Sequence, residues 1–410
     1  IQSDSGTSRL ILGGAAATNI AIRVNGASDV LNLGTATNPM NIGSAQTGGL
    51  TKNGAGKLVF FGTNAQTGTT NINEGTIELN GTSARLAALA GTNTVIRQNA
   101  LLEFNTAVAF VDTPTVGTLD GAGTVQNTGS ADVTFVQTGA GTWAGSFNET
   151  GAGKLHVSKL GTTGAPVWSG TSNYTGITTI GGTTGLVTVN TLADGGVVSG
   201  IGASTSAAAN LVFSGSTAGL VYQGSILNGA LTLDSRSAST NRLFTLAGTG
   251  ATLSSTVSNN NAIVWSNTGA VVHGIVGPQG LIFTGTSTGD NTFNPQLTDS
   301  GTGADITSVT KQGAGQWNLG NSANTYTGLT TINEGILGLN DNGAIHANSP
   351  VVLTPTSATS VAVLQMSGTF ERGLSATPTA GTGSITWSGT TASTTGGAGF
   401  AAHSTPLIVA

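Results

Sequence analysis

The sequence has no cysteine, and only 7% of its 410 residues are charged. Without Cys, neither a disulfide framework nor a thiolate metal site is open to the fold. The twelve Lys and Arg residues and the net charge of -5 exclude the clustered positive charge that nucleic-acid binding needs. The same shortage excludes long amphipathic helices, because their solvent faces require charged side chains.

Small polar residues take the place of charge. Gly occurs 64 times and Thr 68 times, while hydrophobic residues make up 38% and Pro occurs only nine times. This much apolar surface argues against a disordered chain. Thr, Val and Ile favour strands, and Gly and Asn favour turns, so the composition predicts an all-β protein of many short strands.

Membrane and targeting signals are missing from the sequence. No stretch reaches the roughly 18 apolar residues that a membrane-spanning helix needs. The chain starts at Ile1 rather than Met and ends in the apolar run 407–410. We therefore expect a window of a longer chain, with export signals or anchors outside it.

Internal repeats organise the chain. Residues 50–80 read LTKNGAGKLVFFGTNAQTGTTNINEGTIELN, and residues 309–340 read VTKQGAGQWNLGNSANTYTGLTTINEGILGLN. Both copies share a Thr-Lys pair, a Gly-Ala-Gly turn and an Ile-Asn-Glu-Gly segment. A degenerate third copy occupies 151–190. Repeats of this kind predict stacked units, because each unit is too small to bury its own apolar face.

The strand phase supports stacking. In the segment 76–80, Ile77 and Leu79 alternate with Thr76, Glu78 and Asn80, so the two sets face opposite sides. Leu337 and Leu339 have the same phase in the later copy. We predict a right-handed parallel β-helix, or β-solenoid, forming one continuous rod over 1–410. Three strands and about 20–25 residues are expected for each coil.

Two local expectations follow from the same pattern. Amide side chains at equivalent positions of stacked coils can hydrogen-bond to one another, which makes Asn71, Asn73 and Asn80 candidates for turn or ladder positions. One helical turn is expected near 83–89.

The repeat resembles a known family. The pattern GAGxL…YTGxTTIxxGxLxLN is similar to the autotransporter-associated β-strand repeat of bacterial passenger domains and giant surface proteins, and the match is good over 50–80 and 309–340. The segments 385–389 and 397–402 resemble a companion segment of such proteins. The resemblance implies export, a parallel β-helix and a cell-surface or secreted role, often adhesive or structural, without catalysis.

Three short patterns are candidate sites. Residues 285–289 (GTSTG) fit the nucleophile elbow GxSxG, with Asp290 beside them and His273 upstream, but a chain rich in Gly, Ser and Thr produces this pattern by chance. Residues 54–57 and 151–154 (GAGK) lack the full phosphate-loop motif and indicate turns. Residues 299–305 (DSGTGAD) offer two carboxylates but lack a calcium-loop signature, which favours a solvated turn.

The remaining candidate side chains are dispersed or repeated. Acidic residues show no local cluster, and Glu74 and Glu334 occupy equivalent repeat positions, which favours a role in turns. Tyr174 and Tyr326 are also repeat-equivalent, and loop packing is favoured over stacking on sugars. The histidines form no ligand spacing; they are His156, His273, His346 and His403. We therefore predict no catalytic, cofactor-binding or metal-binding residues.

Three functions fit these observations. The first is an extracellular structural module of a bacterial surface fibre or filament, whose partners are copies of itself or further repeats of the same chain, end to end. The second is an adhesin that binds glycans or other cells. The third is a polysaccharide-degrading enzyme on a β-helix scaffold, which the repeat-equivalent candidates disfavour.

Overall fold

Short strands separated by glycine-containing turns supply nearly all the regular structure. The computed structural model describes residues 2–4, 7–10, 19–42, 48–62, 67–80, 93–111, 113–161, 164–182, 185–216, 218–227, 233–387 and 396–409. These residues form two compact units, one of 1–188 and 196–204 and one of 189–195 and 205–410. Two short 3-10 turns, Ala208–Asn210 and Asn342–Ala344, are the helical elements of the described residues.

The first unit is built from strands of two to five residues. In chain order they are β1 Gln2–Asp4, β2 Thr7–Leu10, β3 Ile20–Arg23, β4 Val30–Leu33, β5 Asn41–Ile42, β6 Leu50–Asn53, β7 Lys57–Phe60, β8 Thr70–Ile72, β9 Thr76–Leu79, β10 Thr94–Ile96, β11 Leu101–Phe104, β12 Thr115–Val116, β13 Leu119–Gly121, β14 Thr124–Asn127, β15 Val133–Gln137, β16 Thr142–Trp143, β17 Ser146–Glu149, β18 Leu155–Lys159, β19 Val167–Trp168, β20 Thr178–Ile180 and β21 Leu186–Val189.

Parallel sheets run along this unit. One follows the order β3-β6-β8-β10-β13-β16-β19-β21, a second β17-β14-β11-β9-β7-β4, and a third includes β12-β15-β18-β20. Strands from successive passes of the chain are neighbours in each sheet, as in a parallel β-helix. A smaller sheet, β1-β2-β5, begins with an antiparallel pair.

The second unit repeats this plan. Its strands are β22 Leu211–Phe213, β23 Ala218–Tyr222, β24 Ser225–Leu227, β25 Leu233–Ser235, β26 Ala238–Thr240, β27 Thr245–Leu246, β28 Gly250–Ser255, β29 Ile263–Trp265, β30 Val272–His273, β31 Gln279–Gly285, β32 Thr292–Phe293, β33 Thr307–Lys311, β34 Gln316–Leu319, β35 Thr330–Ile332, β36 Gly335–Leu339, β37 Val351–Leu353, β38 Val361–Phe370, β39 Ile385–Trp387 and β40 Gly397–Val409.

Its sheets are also parallel stacks. They follow the orders β23-β28-β31-β33-β35-β37-β39, β26-β29-β32-β34-β36-β38-β40 and β22-β27-β30, and β24 and β25 form a separate antiparallel pair. The all-β class and the parallel β-helix expected from the sequence are confirmed. The single continuous rod over 1–410 and its right-handedness stay predictions.

Inward-facing side chains of successive coils stack into columns. One column in the first unit consists of Leu58, Ile77, Leu102, Val125 and Phe147. Each is at most 1% exposed. Aromatic rings join these columns, with centroids 5.9 Å apart for Phe135 and Phe147. A buried Phe or Leu contributes about 1.5–3 kcal/mol, so the stacked columns are the main source of stability.

The predicted strand phase is confirmed. Ile77, Leu79 and Leu337 are fully buried, and Leu339 is 3% exposed. One sequence repeat does not correspond to one coil of the β-helix. Leu58 of β7 pairs directly with Ile77 of β9, so residues 50–80 cover parts of two coils rather than the sides of one.

The Asn ladder is confirmed at one of its expected positions. Asn73 donates from Nδ2 to Asn53 Oδ1 at 2.9 Å, and Arg97 Nε donates to Asn73 Oδ1 at 2.9 Å. Asn80 instead donates to Glu78. The helical turn expected near 83–89 lies outside the described residues.

Candidate functional site

Two glutamates far apart in sequence lie side by side on the first unit. Glu78 of β9 and Glu103 of β11 are register partners on paired parallel strands, and such strands are about 4.8 Å apart. Lys57 of β7 reaches both, with Nζ 2.5 Å from Glu78 Oε2 and 2.7 Å from Glu103 Oε2. We call Lys57, Glu78 and Glu103 the Lys57 cluster. A close carboxylate pair is also the basic requirement of a glycoside-cleaving site.

Neighbouring side chains satisfy the other carboxylate oxygens. Glu78 Oε1 accepts from Asn80 Nδ2 at 2.7 Å and from Asn105 Nδ2 at 3.2 Å. Glu103 Oε1 accepts from Thr128 Oγ1 at 2.9 Å. The two glutamates are only 4% and 8% exposed. General acid–base catalysis needs a carboxyl within reach of a substrate, so this geometry supports a structural ion cluster.

Lys57 remains charged in this setting. Burial lowers the pKa of its ammonium, but hydrogen bonds and charge attraction from Glu103 and Glu78 outweigh burial, so the pKa is raised above the ordinary 10.5. The same lysine ends the first Gly-Ala-Gly-Lys segment. Its ammonium is already engaged by two carboxylates, which supports the interpretation of 54–57 as a turn.

We expect Lys57→Met to lower the free energy of unfolding by about 2 kcal/mol, because two buried carboxylates lose their counter-charge. The Lys57 side chain is 32% exposed, so water limits the loss. Denaturation in guanidinium chloride measures it.

Two further variants control this prediction. Adding Glu78→Gln and Glu103→Gln to Lys57→Met should recover much of the loss, since the unpaired charges are gone. Lys154→Met, at an exposed lysine, should stay within about 0.5 kcal/mol of wild type. A triple variant no more stable than Lys57→Met would show that charge is not the cause.

The GxSxG segment forms no nucleophile–base pair in the structure. Ser287 is 2% exposed and donates from Oγ to Asn261 O at 2.9 Å. His273 contacts Gln279 through Nδ1 and Thr298 Oγ1 through Nε2, the latter at 3.1 Å. Asp290 accepts from Gln316. These contacts hold turns and neighbouring coils together.

Residues 299–305 form a hydrogen-bonded turn. Asp299 Oδ1 accepts from the backbone N–H of Thr307 at 2.8 Å and of Thr327 at 3.0 Å, and Oδ2 accepts from Thr327 Oγ1 at 2.7 Å. Backbone N–H groups and the Thr327 hydroxyl thus occupy the Asp299 oxygens that a calcium ion would use. No group of three or more potential metal-ligating His, Cys, Asp or Glu side chains occurs among the residues that the structure describes.

The repeat-equivalent tyrosines have equivalent contacts. Tyr174 and Tyr326 are both fully buried. The hydroxyl of Tyr174 lies 2.7 Å from Thr178 Oγ1, and that of Tyr326 lies 2.8 Å from Thr330 Oγ1. Burial raises the pKa of Tyr326 to about 12. These contacts match the expected role in loop packing, since buried rings cannot stack on a sugar.

Glu74 has the turn role expected for it. Its Oε2 accepts from the backbone N–H of Gly54 at 3.0 Å, which ties it to the Gly-Ala-Gly turn of the previous coil. His156 also bridges coils, because its Nδ1 accepts from the N–H of Ile177 at 2.8 Å.

Sequence reasoning missed the Lys57 cluster and a set of buried lysines. Ile77-Glu78-Leu79 and Leu102-Glu103-Phe104 share one phase, a signal that could have placed the two glutamates in one column. The fully buried lysines are Lys52, Lys159 and Lys311. Lys52 and Lys311 belong to the matching Thr-Lys pairs of the two repeats, but the sequence pattern did not indicate that they are buried.

The fold is that of a parallel β-solenoid repeat protein, and its repeats are similar to those of bacterial passenger domains. The passenger-associated-transport-repeat family matches residues 50–79 and 309–339. The resemblance stated from the sequence is thereby confirmed for two copies, and the third copy at 151–190 stays an interpretation.

One relative extends the similarity beyond the repeats. The chain is 31% identical over 287 residues to the protein named adhesin BmaC autotransporter, from Brucella suis biovar 1 (strain 1330). The alignment covers 66% of this chain and 7% of that protein, so the chain spans a small part of its relative's length. No solved structure matches the chain.

The matches also bear on location. A bacterial cell-surface or extracellular location, as the resemblance implied, follows from both. None of the helices among the described residues has the length and apolar character to cross a membrane.

Proposed function

We propose that the chain is an extracellular structural module of a bacterial surface fibre, built by stacking β-coils. One observation carries the proposal: the candidate functional side chains discussed above are hydrogen-bonded within the fold. The carboxylates of Glu78, Glu103 and Asp299 and the hydroxyl of Ser287 bond to other coils, and the hydroxyl of Tyr326 bonds to Thr330, four residues later. Such a surface presents a regular backbone scaffold rather than a reactive cleft.

An unpaired strand edge supports contact with further coils. Strand β40 pairs with β38 on one side, and the described residues give it no partner on the other. Ile408 and Val409 on this strand are 58% and 45% exposed. Free strand edges pair readily with another strand. We propose that a further coil of the same chain or a second copy covers β40.

The test is the association state of the purified chain. Analytical ultracentrifugation and electron microscopy should show concentration-dependent end-to-end assemblies, and Ile408→Lys should reduce them because charge blocks edge pairing. Val276→Lys is the matched control, at a 73% exposed valine outside strand β40. Monomers at every concentration, or equal effects of both variants, would contradict the edge contact.

Adhesion is the second candidate, because the relative of the chain is named an adhesin. The exposed loop residues Val108 and Val111, at 60% and 67%, offer apolar contact area. Binding of the purified chain to immobilised glycans or to cells separates the two functions. Saturable binding that Val108→Ser and Val111→Ser abolish favours adhesion, and its absence favours the structural module. An enzymatic function is not proposed.

A further inference from the structure

Two buried lysines occupy equivalent positions in the two clear repeats. Lys52 is the last inward-facing residue of β6, and Lys311 is the last inward-facing residue of β33. Both are fully buried. Burying an ammonium is costly unless hydrogen bonds satisfy it. Such a group therefore requires a specific set of acceptors.

The acceptors are backbone carbonyls of two successive turns. Lys311 Nζ donates to Gln312 O at 3.1 Å, to Gly313 O of the following Gly-Ala-Gly turn at 2.6 Å, and to Glu334 O in the next coil at 2.9 Å. An ammonium has three N–H donors, and here each has one carbonyl.

The first repeat reproduces this arrangement. Lys52 Nζ donates to Asn53 O at 2.9 Å, Gly54 O at 2.6 Å and Glu74 O at 3.2 Å. The corresponding distances in the two copies agree within 0.3 Å, although one repeat has an added residue. Because both copies have the same three acceptors, this lysine-to-carbonyl arrangement is a recurring feature of the repeat.

A glycine keeps the two turns close together. Gly335 follows Glu334 with φ +74°, and a Cβ there would lie 2.3 Å from Gly315 O and 2.5 Å from Gly313 O. Gly75 has the same role, with φ +65° and corresponding distances of 2.4 and 2.6 Å to Gly56 O and Gly54 O. Only glycine permits this approach, and it brings the third carbonyl within reach of the lysine.

The Gly-Ala-Gly turn 139–141 also has a buried side-chain donor, but this donor is an amide instead of an ammonium. Gln137 precedes the turn 139–141 at the position equivalent to Lys52, is fully buried and donates from Nε2 to Ala140 O at 2.7 Å. In the next coil its register partner Lys159 donates from Nζ to Thr138 O at 3.0 Å. A buried side-chain donor therefore accompanies these turns as well.

We propose that Lys52 and Lys311 act as lysine clamps, each fastening the Gly-Ala-Gly turn of one coil to the Glu-Gly turn of the next and thereby fixing the coil register of the repeat. The Thr-Lys-x-Gly-Ala-Gly…Glu-Gly motif is the sequence mark of this clamp.

The clamp is charged at neutral pH. Burial lowers the pKa of Lys311 to about 8, against the opposing effect of Glu334. The ammonium form with three donors therefore predominates at pH 7.

Hydrogen exchange of the inter-coil amides tests the clamp. The N–H of Asn333 bonds to Lys311 O at 2.8 Å, and that of Ile336 bonds to Gly315 O at 3.2 Å. In the full chain, Lys311→Met fills the space without donors and should speed exchange of both amides roughly tenfold or more. Lys311→Gln should give an intermediate rate, because Gln137 serves a similar turn.

Chemical rescue separates donor loss from loss of packing. Lys311→Ala leaves space for propylammonium, which should slow the exchange towards the wild-type rate, while tetramethylammonium, which has no N–H donor, should not. Lys154→Met is the control for removing a lysine beside a Gly-Ala-Gly segment and should leave these amides unchanged. Unchanged exchange in Lys311→Met, or equal rescue by both cations, would overturn the proposal. If Lys311→Met does not fold, a rate in Lys311→Gln between those of wild type and unfolded chain supports the clamp, and a wild-type rate contradicts it.

Discussion

Trp317→Ala should lower the free energy of unfolding of the second unit by about 3–5 kcal/mol, the usual cost of removing a fully buried large aromatic side chain. The indole is 1% exposed and lies 5.1 Å from the Phe283 ring, centroid to centroid. Its Nε1 donates to Thr284 O at 2.9 Å. Removing it leaves a cavity in the inward column with Leu337 and an unsatisfied carbonyl.

Trp387→Ala is the matched control. This indole is 53% exposed and contacts Phe400 at 5.9 Å between ring centroids. The same substitution there should cost about 1 kcal/mol or less, because little area returns to water. Guanidinium denaturation followed by circular dichroism measures both. Equal losses at the two positions would show that the stacked columns do not dominate the stability.

Gly335→Ala should destabilise the second unit by about 3 kcal/mol or more, because two costs combine. The residue has φ +74°, which costs a non-glycine residue roughly 1–2 kcal/mol. The new Cβ would also lie 2.3 Å from Gly315 O, so the backbone of one coil has to move away from the next.

Gly303→Ala separates these two costs. Its φ is +70°, nearly the same, but no atom lies within 4 Å of the added Cβ. We expect only the conformational cost, about 1 kcal/mol. Thermal unfolding of the two variants gives the comparison. A loss at Gly303 as large as that at Gly335 would mean that close packing of turns contributes nothing.

The confirmed predictions rest on local rules. Alternation along a strand fixes which side chains face inward, and this placed Ile77, Leu79 and Leu337 correctly. Repeat equivalence correctly favoured packing for Tyr174 and Tyr326. The first inference needs only neighbouring residues in the chain, and the second needs only a comparison of the repeat sequences.

Contacts between coils could not be derived in this way. Leu50 pairs with Thr70, which is 20 residues later, whereas Val351 pairs with Ile385, which is 34 residues later. Because the coil length varies this much, the sequence period does not say which side chains stack. The Lys57–Glu103 contact, 46 residues apart, is an example.

By itself the sequence determined the all-β class, the stacking of coils, the inward phase of the strands and the resemblance to passenger repeats. These properties depend on backbone alternation, turn residues and composition, which are local. Only the tertiary structure decided that Lys57 joins Glu78 and Glu103, that Lys311 is buried among carbonyls and that Ser287 faces Asn261 rather than a histidine. The physical reason is that polar contacts require atoms within about 3 Å, and loop lengths set which residues of successive coils come that close.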